Sequence, residues 1–323
     1  MSMTACGGGN SASTDGSSND GGASASGGSY KVSVILKTLA AEYWQYVKSG
    51  AEDYASEHSD KVTVEVKGPS SETAFDEMQN MIETDLSSGT YDGIVISPLQ
   101  SDTAAQLVSG TKLPIVAIDT NFTAPEVKSF VGTGNEAAAK KGGEAAVEAA
   151  KAAGWTDIKC IEIAGVQGDQ TNTARMNGYK AGVEEAGGTF LSDEVQYADA
   201  TADRATTAME AIMQTHPEGI AIICANNDDM AMAAARAAQG HDAYKNTIFL
   251  GFNGDRAACE AILDGQMTMS VAQMAYEMGY KAVETMVQVL DGETVDEFVD
   301  SGSDVVTPDN AQERLDTLKT QLH

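Results

Sequence analysis

The chain has 323 residues, with 48 acidic side chains against 20 Lys and Arg and a formal net charge of -28. This charge repels nucleic-acid phosphates and anionic membrane surfaces, so nucleic acid is not an expected partner and membrane contact is expected only through an anchor. The length allows two domains of ordinary size, and the hydrophobic fraction of 42% provides each with a core.

Residues 1–29 consist almost wholly of Gly, Ser, Ala, Asn, Asp and Thr. Such a composition buries too little apolar surface to order itself, so we predict a disordered tether. Near its start, Met3-Thr4-Ala5-Cys6-Gly7 is typical of the end of a bacterial lipoprotein signal. We expect a trimmed signal peptide, lipidation at Cys6, and a location at the extracellular face of the cell membrane or in the periplasm. The alternative is a chance cysteine in a polar tail.

From Tyr30 onward, short apolar runs alternate with helical patterns, which indicates parallel sheets covered by helices. The first half is predicted to contain strands near residues 31–36, 61–67, 91–97, 114–119 and 127–133, with helices over 44–58, over 74–87 and from 101. A helix over 135–153 leads to strands at 158–164, 189–195, 220–225 and 247–252, separated by helices at 173–186, 203–215 and 228–238. This alternation predicts two α/β lobes of similar size.

The stretch 248–284 contains two successive strand, turn and helix units. The first strand ends in Gly251-Phe252-Asn253-Gly254, and the second apolar run ends at Gln273 before a helix over 276–290. In an open parallel sheet these turns lie at the carboxyl edge of the strands, where ligands bind. Asn253 is therefore predicted to face solvent or a ligand.

This stretch resembles the sugar-binding type I periplasmic (solute) binding proteins of ABC transporters, the ribose-binding group in particular. The matching motifs are Gly251-Phe252, Asp264-Gly265, Val271-Ala272-Gln273 and Gly279 to Glu284, and the resemblance extends over about residues 30–307. It implies two Rossmann-like lobes with parallel sheets joined by a three-segment hinge. The N-terminal lobe would comprise 30–133 and 274–302, and the C-terminal lobe 134–273 and 303–323.

On the N-terminal lobe, the resemblance places ligand-binding residues at strand ends. Tyr43 and Trp44 stand where the family has two aromatic residues, whose flat faces match the C–H face of a sugar. Asp119 matches the ligand-binding Asp, and a carboxylate there accepts hydrogen bonds from two neighbouring hydroxyls. The alternatives are core packing for the aromatics and a turn cap for Asp119. The further candidates are Ser97, Thr120, Asn121 and Thr133.

On the C-terminal lobe, Arg175 matches the family's arginine, whose guanidinium donates to sugar hydroxyls. The alternative is a surface arginine at a helix start. In the motif that begins Asn226-Asn227-Asp228, we expect Asn227 to contact the ligand and Asp228 to cap the following helix. Asn253 and Gln273 complete the set, with Gln273 at a crossing between lobes.

Four positions depart from the ribose-binding pattern. Asn253 stands in place of Asp, Thr120 in place of Arg, and Ser97 and Ala41 each in place of Asn. We interpret this as the loss of one anion and one cation, together with additional space. The expected ligand is a neutral sugar or polyol, and we predict that a hexose-sized sugar or sugar alcohol binds more tightly than D-ribose.

The resemblance implies a monomeric binding protein that delivers its ligand to an ABC permease and is not an enzyme. A periplasmic sugar co-sensor for a membrane receptor remains an alternative. The ligand-sensing core of a lac-repressor-like regulator is another, although such regulators begin with a basic DNA-binding domain that this acidic chain lacks. Nucleotide-binding and nucleophile motifs are absent from the sequence, and no cofactor or metal is expected.

Two cysteines, Cys160 and Cys224, lie in apolar runs that are predicted to be strands. We expect both to be buried and reduced. They would be near neighbours if their strands pair.

Overall fold

The computed structural model describes residues 29–322, and the predicted tether and Cys6 lie outside them. Two separate β-sheets form within this part. The first contains β1 (Tyr30–Ile35), β2 (Val62–Lys67), β3 (Gly93–Ile96), β4 (Ile115–Ile118), β5 (Val127–Gly132) and β12 (Phe298–Asp300). The second contains β6 (Lys159–Ala164), β7 (Thr189–Phe190), β8 (Gln196–Tyr197), β9 (Ile222–Ala225), β10 (Ile248–Asn253), β11 (Met269–Gln273) and β13 (Ser303–Val306).

In the first sheet the strand order is β12-β5-β4-β3-β1-β2, and neighbouring strands are parallel. In the second it is β13-β11-β10-β9-β6-β7, with β8 also paired to β6. This sheet is parallel except for β13, which runs antiparallel to β11. The parallel pairing places the carboxyl ends of neighbouring strands at one edge of each sheet, where polar side chains collect.

Helices cover both faces of each sheet. The first sheet lies between α1 (Glu42–Glu57) with α9 (Ala275–Leu290) on one side, and α2 (Phe75–Ser88) with α3 (Ser101–Val108) on the other. The second lies between α4 (Asn135–Ala152) with α5 (Gln170–Glu185), and α6 (Ala202–Thr215), α7 (Asp228–Ala238) and α8 (Arg256–Leu263). The last helix, α10 (Ala311–Gln321), packs on α8. The α/β architecture with two parallel-dominated sheets is confirmed.

Small residues allow two pairs of helices to approach closely. In the first lobe, an added Cβ at Gly279 of α9 would overlap the backbone carbonyl of Val47 in α1, and one at Gly50 would overlap the carbonyl of Tyr276. In the second lobe, a Cβ at Gly182 of α5 would overlap a backbone carbonyl of α4. Each pair therefore depends on glycine at its contact.

The chain passes between the sheets three times: after β5 at residues 133–134, after β11 at residue 274, and after β12 at residues 301–302. The second crossing takes α9 back to the first sheet, where it packs on α1, β3, β4 and β5. Movement of the two lobes about these segments remains a prediction. No helix among residues 29–322 is both long and apolar enough to cross a membrane.

The single strand predicted over 189–195 is wrong. The structure has two short strands, β7 and β8, separated by a 3-10 turn over Ser192–Glu194, and both pair with β6. The turn contains Asp193 and Glu194, which favour exposed irregular backbone over strand. Strands β12 and β13 and helix α10, for which no pattern was recognised, complete the fold.

Candidate ligand-binding site

A cavity of about 320 Å³ lies between the two lobes, at the carboxyl edges of their sheets. It is lined by residues of both lobes, so a molecule inside it would contact both. Its walls include the following predicted site residues: Tyr43, Trp44, Asp119, Arg175, Asn227, Asn253 and Gln273.

The aromatic wall belongs to the first lobe. The rings of Tyr43 and Trp44 meet edge to face, with centroids 4.9 Å apart. The Tyr43 hydroxyl donates to Asp119 Oδ1 at 2.9 Å, and Trp44 Nε1 donates to Glu72 Oε1 at 3.0 Å. Burial, followed by the Asp119 charge, raises the pKa of Tyr43 well above its usual value. Tyr43 therefore stays neutral and holds the Asp119 carboxylate in place.

Arg175 is buried on the opposite wall, and it is not the surface arginine of the alternative interpretation. Its Nε donates to Asn135 Oδ1 at 2.8 Å, and its Nη1 donates to the Asn226 carbonyl at 2.7 Å. The guanidinium carbon lies 3.7 Å from the centroid of the Phe252 ring. These contacts fix the plane of the guanidinium, so any remaining N–H groups point in defined directions.

Asn253 and Gln273 are joined across the ends of β10 and β11. Gln273 Nε2 donates to Asn253 Oδ1 at 2.9 Å. Gln273 is 1% exposed, and its Oε1 has no hydrogen-bond partner among the described residues. A buried acceptor without a donor is costly, so a ligand hydroxyl placed here would remove that cost.

The start of α7 differs from the expectation. Asn227 is the N-cap, since its Oδ1 accepts from the Met230 backbone N–H at 2.9 Å. The prediction that Asp228 caps this helix is therefore wrong. Asp228 is instead fully buried and accepts from Ser270 Oγ at 2.6 Å and from the Asp255 backbone N–H at 3.0 Å. Burial raises its pKa to about 6.

Four predicted residues lie outside the cavity walls, and Ser97, Asn121 and Thr133 are three of them. Ser97 is fully buried, and its Oγ has no hydrogen-bond partner among the described residues. Asn121 accepts from the backbone N–H of the next residue, and Thr133 Oγ1 lies 3.4 Å from Ser301 Oγ at the crossings. Asn121 and Thr133 line a second cavity of about 490 Å³ beside the crossings. Ligand contact by these three remains a prediction.

Thr120 also lies outside the main cavity, but it supports one of its walls. Its hydroxyl is 2.8 Å from Asp119 Oδ2 and 2.8 Å from Thr171 Oγ1. Since Thr171 belongs to α5 of the second lobe, Thr120 joins the two lobes next to the Asp119 carboxylate on the cavity wall. Its direct contact with a ligand also remains a prediction.

Comparison with known proteins identifies the family. The model of the periplasmic binding protein domain matches residues 32–294. The chain belongs to this family.

Curated relatives of this periplasmic binding protein include the ribose import binding protein of Escherichia coli K12, which is 28% identical over 268 residues. That alignment covers 82% of this chain and 86% of the relative. The D-allose-binding periplasmic protein of the same organism is 30% identical over 264 residues, covering 79% of this chain and 82% of the relative.

Solved structures share the fold. A carbohydrate transporter solute-binding protein from Agrobacterium radiobacter, in complex with D-arabinose, has a TM-score of 0.80 at 24% identity and covers 91% of this chain and 99% of its own. A solute-binding protein from Mycobacterium smegmatis with bound glycerol has a TM-score of 0.76 at 26% identity. Its match covers 88% of this chain and 96% of the solved chain. The type I periplasmic binding protein fold is thus established.

The charged cavity residues of this periplasmic binding protein that were not predicted from the sequence include Lys37 and Asp255. Lys37 brings an ammonium to within 4.0 Å of Asp119 Oδ2, and Asp255 Oδ2 lies 3.5 Å from Asn253 Nδ2. Lys37 thus adds an ammonium at a position outside the four departures, whereas burial, followed by the Asp228 charge, raises the pKa of Asp255 well above its usual value and favours its neutral form. The effect of the four departures on the ligand remains a prediction. A signal existed for each: Lys37 follows the first strand closely, and Asp255 directly follows the turn after β10.

Other cavity residues that were missed come from loops and from the first turns of α5 and α7. They are Thr38, Ala40, Ser70 to Thr73, Gly165, Val166, Asp169, Thr171, Asn172, Asp199 to Thr201, Asn226 and Asp229. The loop containing Ser70 to Thr73 follows β2, so its position after a strand end was a usable signal. The loop 199–201 follows the short strand β8, which no clear pattern marked.

Backbone strain is concentrated at the cavity of this periplasmic binding protein. Within residues 29–322, the non-glycine residues with positive φ are Asp119 (62°), Asp199 (47°), Ala200 (59°) and Asn253 (133°). All of them line the cavity. Such conformations cost energy unless the surrounding structure enforces them, and their position here indicates a functional constraint.

A buried carboxyl supports the arginine wall from beneath. Glu162 on β6 is fully buried, and its Oε1 accepts from Asn226 Nδ2 at 2.6 Å. Asn226 in turn accepts from Arg175 through its carbonyl. Burial raises the pKa of Glu162 to about 8. Glu162 is therefore predominantly protonated near neutral pH and does not add a negative charge beneath the cavity.

Cys160 and Cys224 are buried free cysteines on the paired strands β6 and β9, with their sulfur atoms 3.4 Å apart. Among the described residues, no group of three or more His, Cys, Asp or Glu side chains could hold a metal ion.

Proposed function

We propose that this periplasmic binding protein captures a neutral sugar or polyol between its two lobes and delivers it to an ABC importer. The observation that supports this most strongly is the cavity between the lobes, with Asp119 on one wall and Arg175 on the other. Carboxylate and guanidinium groups recognise hydroxyls from opposite sides. The names of the relatives point to the same ligand class, since they bind ribose and D-allose.

The proposed mechanism is closure of the lobes around the ligand. Ligand contacts are divided between lobes that are connected by three short segments. A ligand that touches both lobes binds the closed arrangement more tightly than the open one and therefore shifts the population toward closure. The closed form would then dock on the permease as a monomer.

The cavity favours a ligand rich in hydroxyl donors. Gln273 Oε1 has no donor among residues 29–322, and the carboxylates of Asp119 and Asp229 line the walls. Sugar and alditol hydroxyls both donate and accept, so they can bond to these acceptors and also to donors such as Lys37 and Arg175. The indole of Trp44 presents a larger stacking face than a phenyl ring, which suits a hexose, ketose or alditol.

We predict that a neutral hexose-sized sugar or sugar alcohol binds at least tenfold more tightly than D-ribose, a difference of about 1.4 kcal/mol. A thermal-shift screen of pentoses, hexoses, ketoses and alditols selects candidates, and calorimetric titration then ranks them. D-Ribose as the tightest ligand would overturn the size argument. Absence of binding across the whole panel would overturn the proposed function.

We also propose that the protein is anchored through a lipid on Cys6. The residues Met3-Thr4-Ala5-Cys6-Gly7 support this, although they lie outside the described residues. Metabolic labelling with a fatty acid in a bacterial host tests the proposal. The label should appear in the wild-type protein and be lost in Cys6→Ser, and equal labelling of both would contradict it.

A further inference from the structure

Lys37 connects the two lobes at the cavity. It lies just after β1, on the first lobe, and its side chain is buried. Its Nζ is 2.8 Å from Asp169 Oδ2 on the second lobe and 4.0 Å from Asp119 Oδ2 on the first. One ammonium therefore faces a carboxylate from each lobe, next to the proposed ligand.

Asp169 has a second role at the start of α5. It is the N-cap, and its Oδ1 accepts from the Asn172 backbone N–H at 2.8 Å while Oδ2 accepts from Lys37. Helix α5 also contains Arg175, which lines the cavity. The first lobe thus contacts the cap of the helix that supplies the arginine.

A hydroxyl pair strengthens the same connection. Thr120 of the first lobe and Thr171 of the second have their Oγ1 atoms 2.8 Å apart. Thr171 lies two residues beyond Asp169, in the first turn of α5. We call Lys37, Asp119 and Thr120 together with Asp169 and Thr171 the inter-lobe clasp.

The ion pair in the clasp is buried on both sides, with side-chain exposures of 8% for Lys37 and 9% for Asp169. Burying two charges is expensive, and their attraction compensates only when the geometry is good and the remaining groups are bonded. Here both carboxylate oxygens of Asp169 are hydrogen-bonded, one to the Asn172 backbone N–H and the other to the Lys37 ammonium. If the lobes separate, both charges return to water, so the pair depends on closure.

Both partners are ionised in this arrangement. Although burial opposes the charge, the Asp169 and Asp119 carboxylates hold the pKa of Lys37 above its usual value. Burial also opposes ionisation of Asp169, but the Lys37 ammonium holds the pKa of that carboxyl below its usual value. The attraction therefore persists at neutral pH.

We propose that Lys37 couples sugar binding to lobe closure, by pairing with the cap of α5 while it stands beside the ligand-facing Asp119. This inference rests on the proposed function. An ammonium has three N–H donors, and Asp169 occupies one of them. A ligand oxygen near Asp119 is within the reach of another, so Lys37 contributes to both closure and recognition.

The test compares four variants by calorimetry against the best ligand of the sugar panel. Lys37→Met removes the ammonium, and Asp169→Asn removes the charge but keeps a capping oxygen. We expect each single variant to bind the sugar at least tenfold more weakly than wild type. Because the two residues act as a pair, the affinity of the double variant should equal that of the single variant with the lower affinity. Lys37→Arg should recover most of the affinity lost in Lys37→Met.

Lys67→Met is the matched control. Lys67 also forms a partly buried ion pair, with Nζ 2.7 Å from Asp85 Oδ1, but this pair lies within the first lobe and away from the cavity. We expect its affinity to stay within twofold of wild type even if stability falls. If Lys67→Met loses as much sugar affinity as Lys37→Met does, the effect of Lys37→Met would be explained by lower stability alone, and the proposal would be overturned.

Two other outcomes would also overturn it: single variants that bind as wild type does, or a double variant whose loss equals the product of the single losses. A second readout is amide hydrogen exchange at residues 170–175 with sugar at saturation, which should be faster in Lys37→Met than in wild type because the variant cannot hold the cap of α5. If no sugar of the panel binds the wild type, the proposed function fails and the coupling proposal fails with it. If sugar binds and the exchange rates are equal at saturation, the clasp fails alone.

Discussion

Three properties of Asp119 fix its carboxylate on the wall of the cavity. Its backbone has a φ of 62°, its Oδ1 accepts from Tyr43, and its Oδ2 accepts from Thr120. The positive φ turns the chain immediately after β4, and the two hydroxyls fix the carboxylate that this turn presents. Strain and hydrogen bonds together pre-organise the group before a ligand arrives.

At this scale we predict that Arg175→Ala and Asp119→Ala each weaken ligand binding by about 2 kcal/mol or more. Charge-assisted hydrogen bonds in a closed site have roughly this strength, and their loss leaves ligand hydroxyls without partners. Calorimetry measures the change, and circular dichroism checks the fold. Arg236→Ala, at an exposed arginine in the last turn of α7, is the control. Wild-type affinity in both site variants would show that the site is elsewhere.

Glu162 gives a prediction about pH. Its pKa in the folded protein is about 8, against an ordinary value of 4.5, so the folded state binds more protons between these limits. Its contribution to stability is therefore complete below pH ~4.5 and is lost as pH rises toward ~8. Glu162→Gln keeps an oxygen for Asn226 but does not titrate. We expect the decrease in unfolding free energy from pH 5 to pH 8 to be smaller in the variant, by on the order of a few kcal/mol.

Urea unfolding at both pH values measures this difference. Asp228, whose pKa is raised to about 6, titrates in both proteins and so does not account for it. Identical pH profiles for the variant and the wild type would mean that Glu162 is already ionised in the folded protein at neutral pH.

At the scale of elements, the helix pair α1 and α9 and the helix pair α4 and α5 both pack closely through glycine residues. Each brings two backbones together at glycines, one pair in each lobe. The first pair joins a helix near the N-terminus to one that returns after the second crossing. Close packing of α9 on α1 therefore holds the returning segment to the first lobe.

We predict that Gly279→Ala lowers the unfolding free energy by at least about 1 kcal/mol, because the added methyl overlaps the Val47 carbonyl and forces the helices apart. This loss outweighs the better helix propensity of alanine, which is about 1 kcal/mol at most. Chemical denaturation measures the change. The control is Gly134→Ala, where no atom lies within 4 Å of the added Cβ and φ is -66°. Gly134 is the N-cap of α4, so we expect there only the smaller loss that comes from poorer capping by alanine. A loss as large in Gly134→Ala would refute the packing explanation.

At the scale of the whole molecule, the cavity between two lobes and the three crossings predict a change of shape with ligand. Small-angle scattering should give a smaller radius of gyration when the best sugar of the panel is bound. The reason is that a ligand contacting both walls favours the closed arrangement. A non-binding sugar at the same concentration is the control. An unchanged radius with a tightly bound sugar would exclude closure as the mechanism.

The order of strands and helices could be predicted from the sequence because period and turn chemistry are local. The apolar runs ending at Asp119 and Asn253 placed β4 and β10. The resemblance then marked Asn227 and Gln273 near strand ends, and Arg175 from a helix motif, as candidate ligand-binding residues, and all three line the cavity. The charge and composition also set the limits on partners without any tertiary information.

Only the tertiary structure decided how these residues combine. Lys37 and Asp169 are 132 positions apart, so their pairing follows from the docking of two lobes and not from any local pattern. The N-cap of α7 was decided by a single residue's backbone, since Asn227 is extended and Asp228 is already helical. β12 is three residues long and pairs with the edge of β5. Because such a short strand is stabilised mainly by its partner strand, its own sequence shows no clear strand pattern.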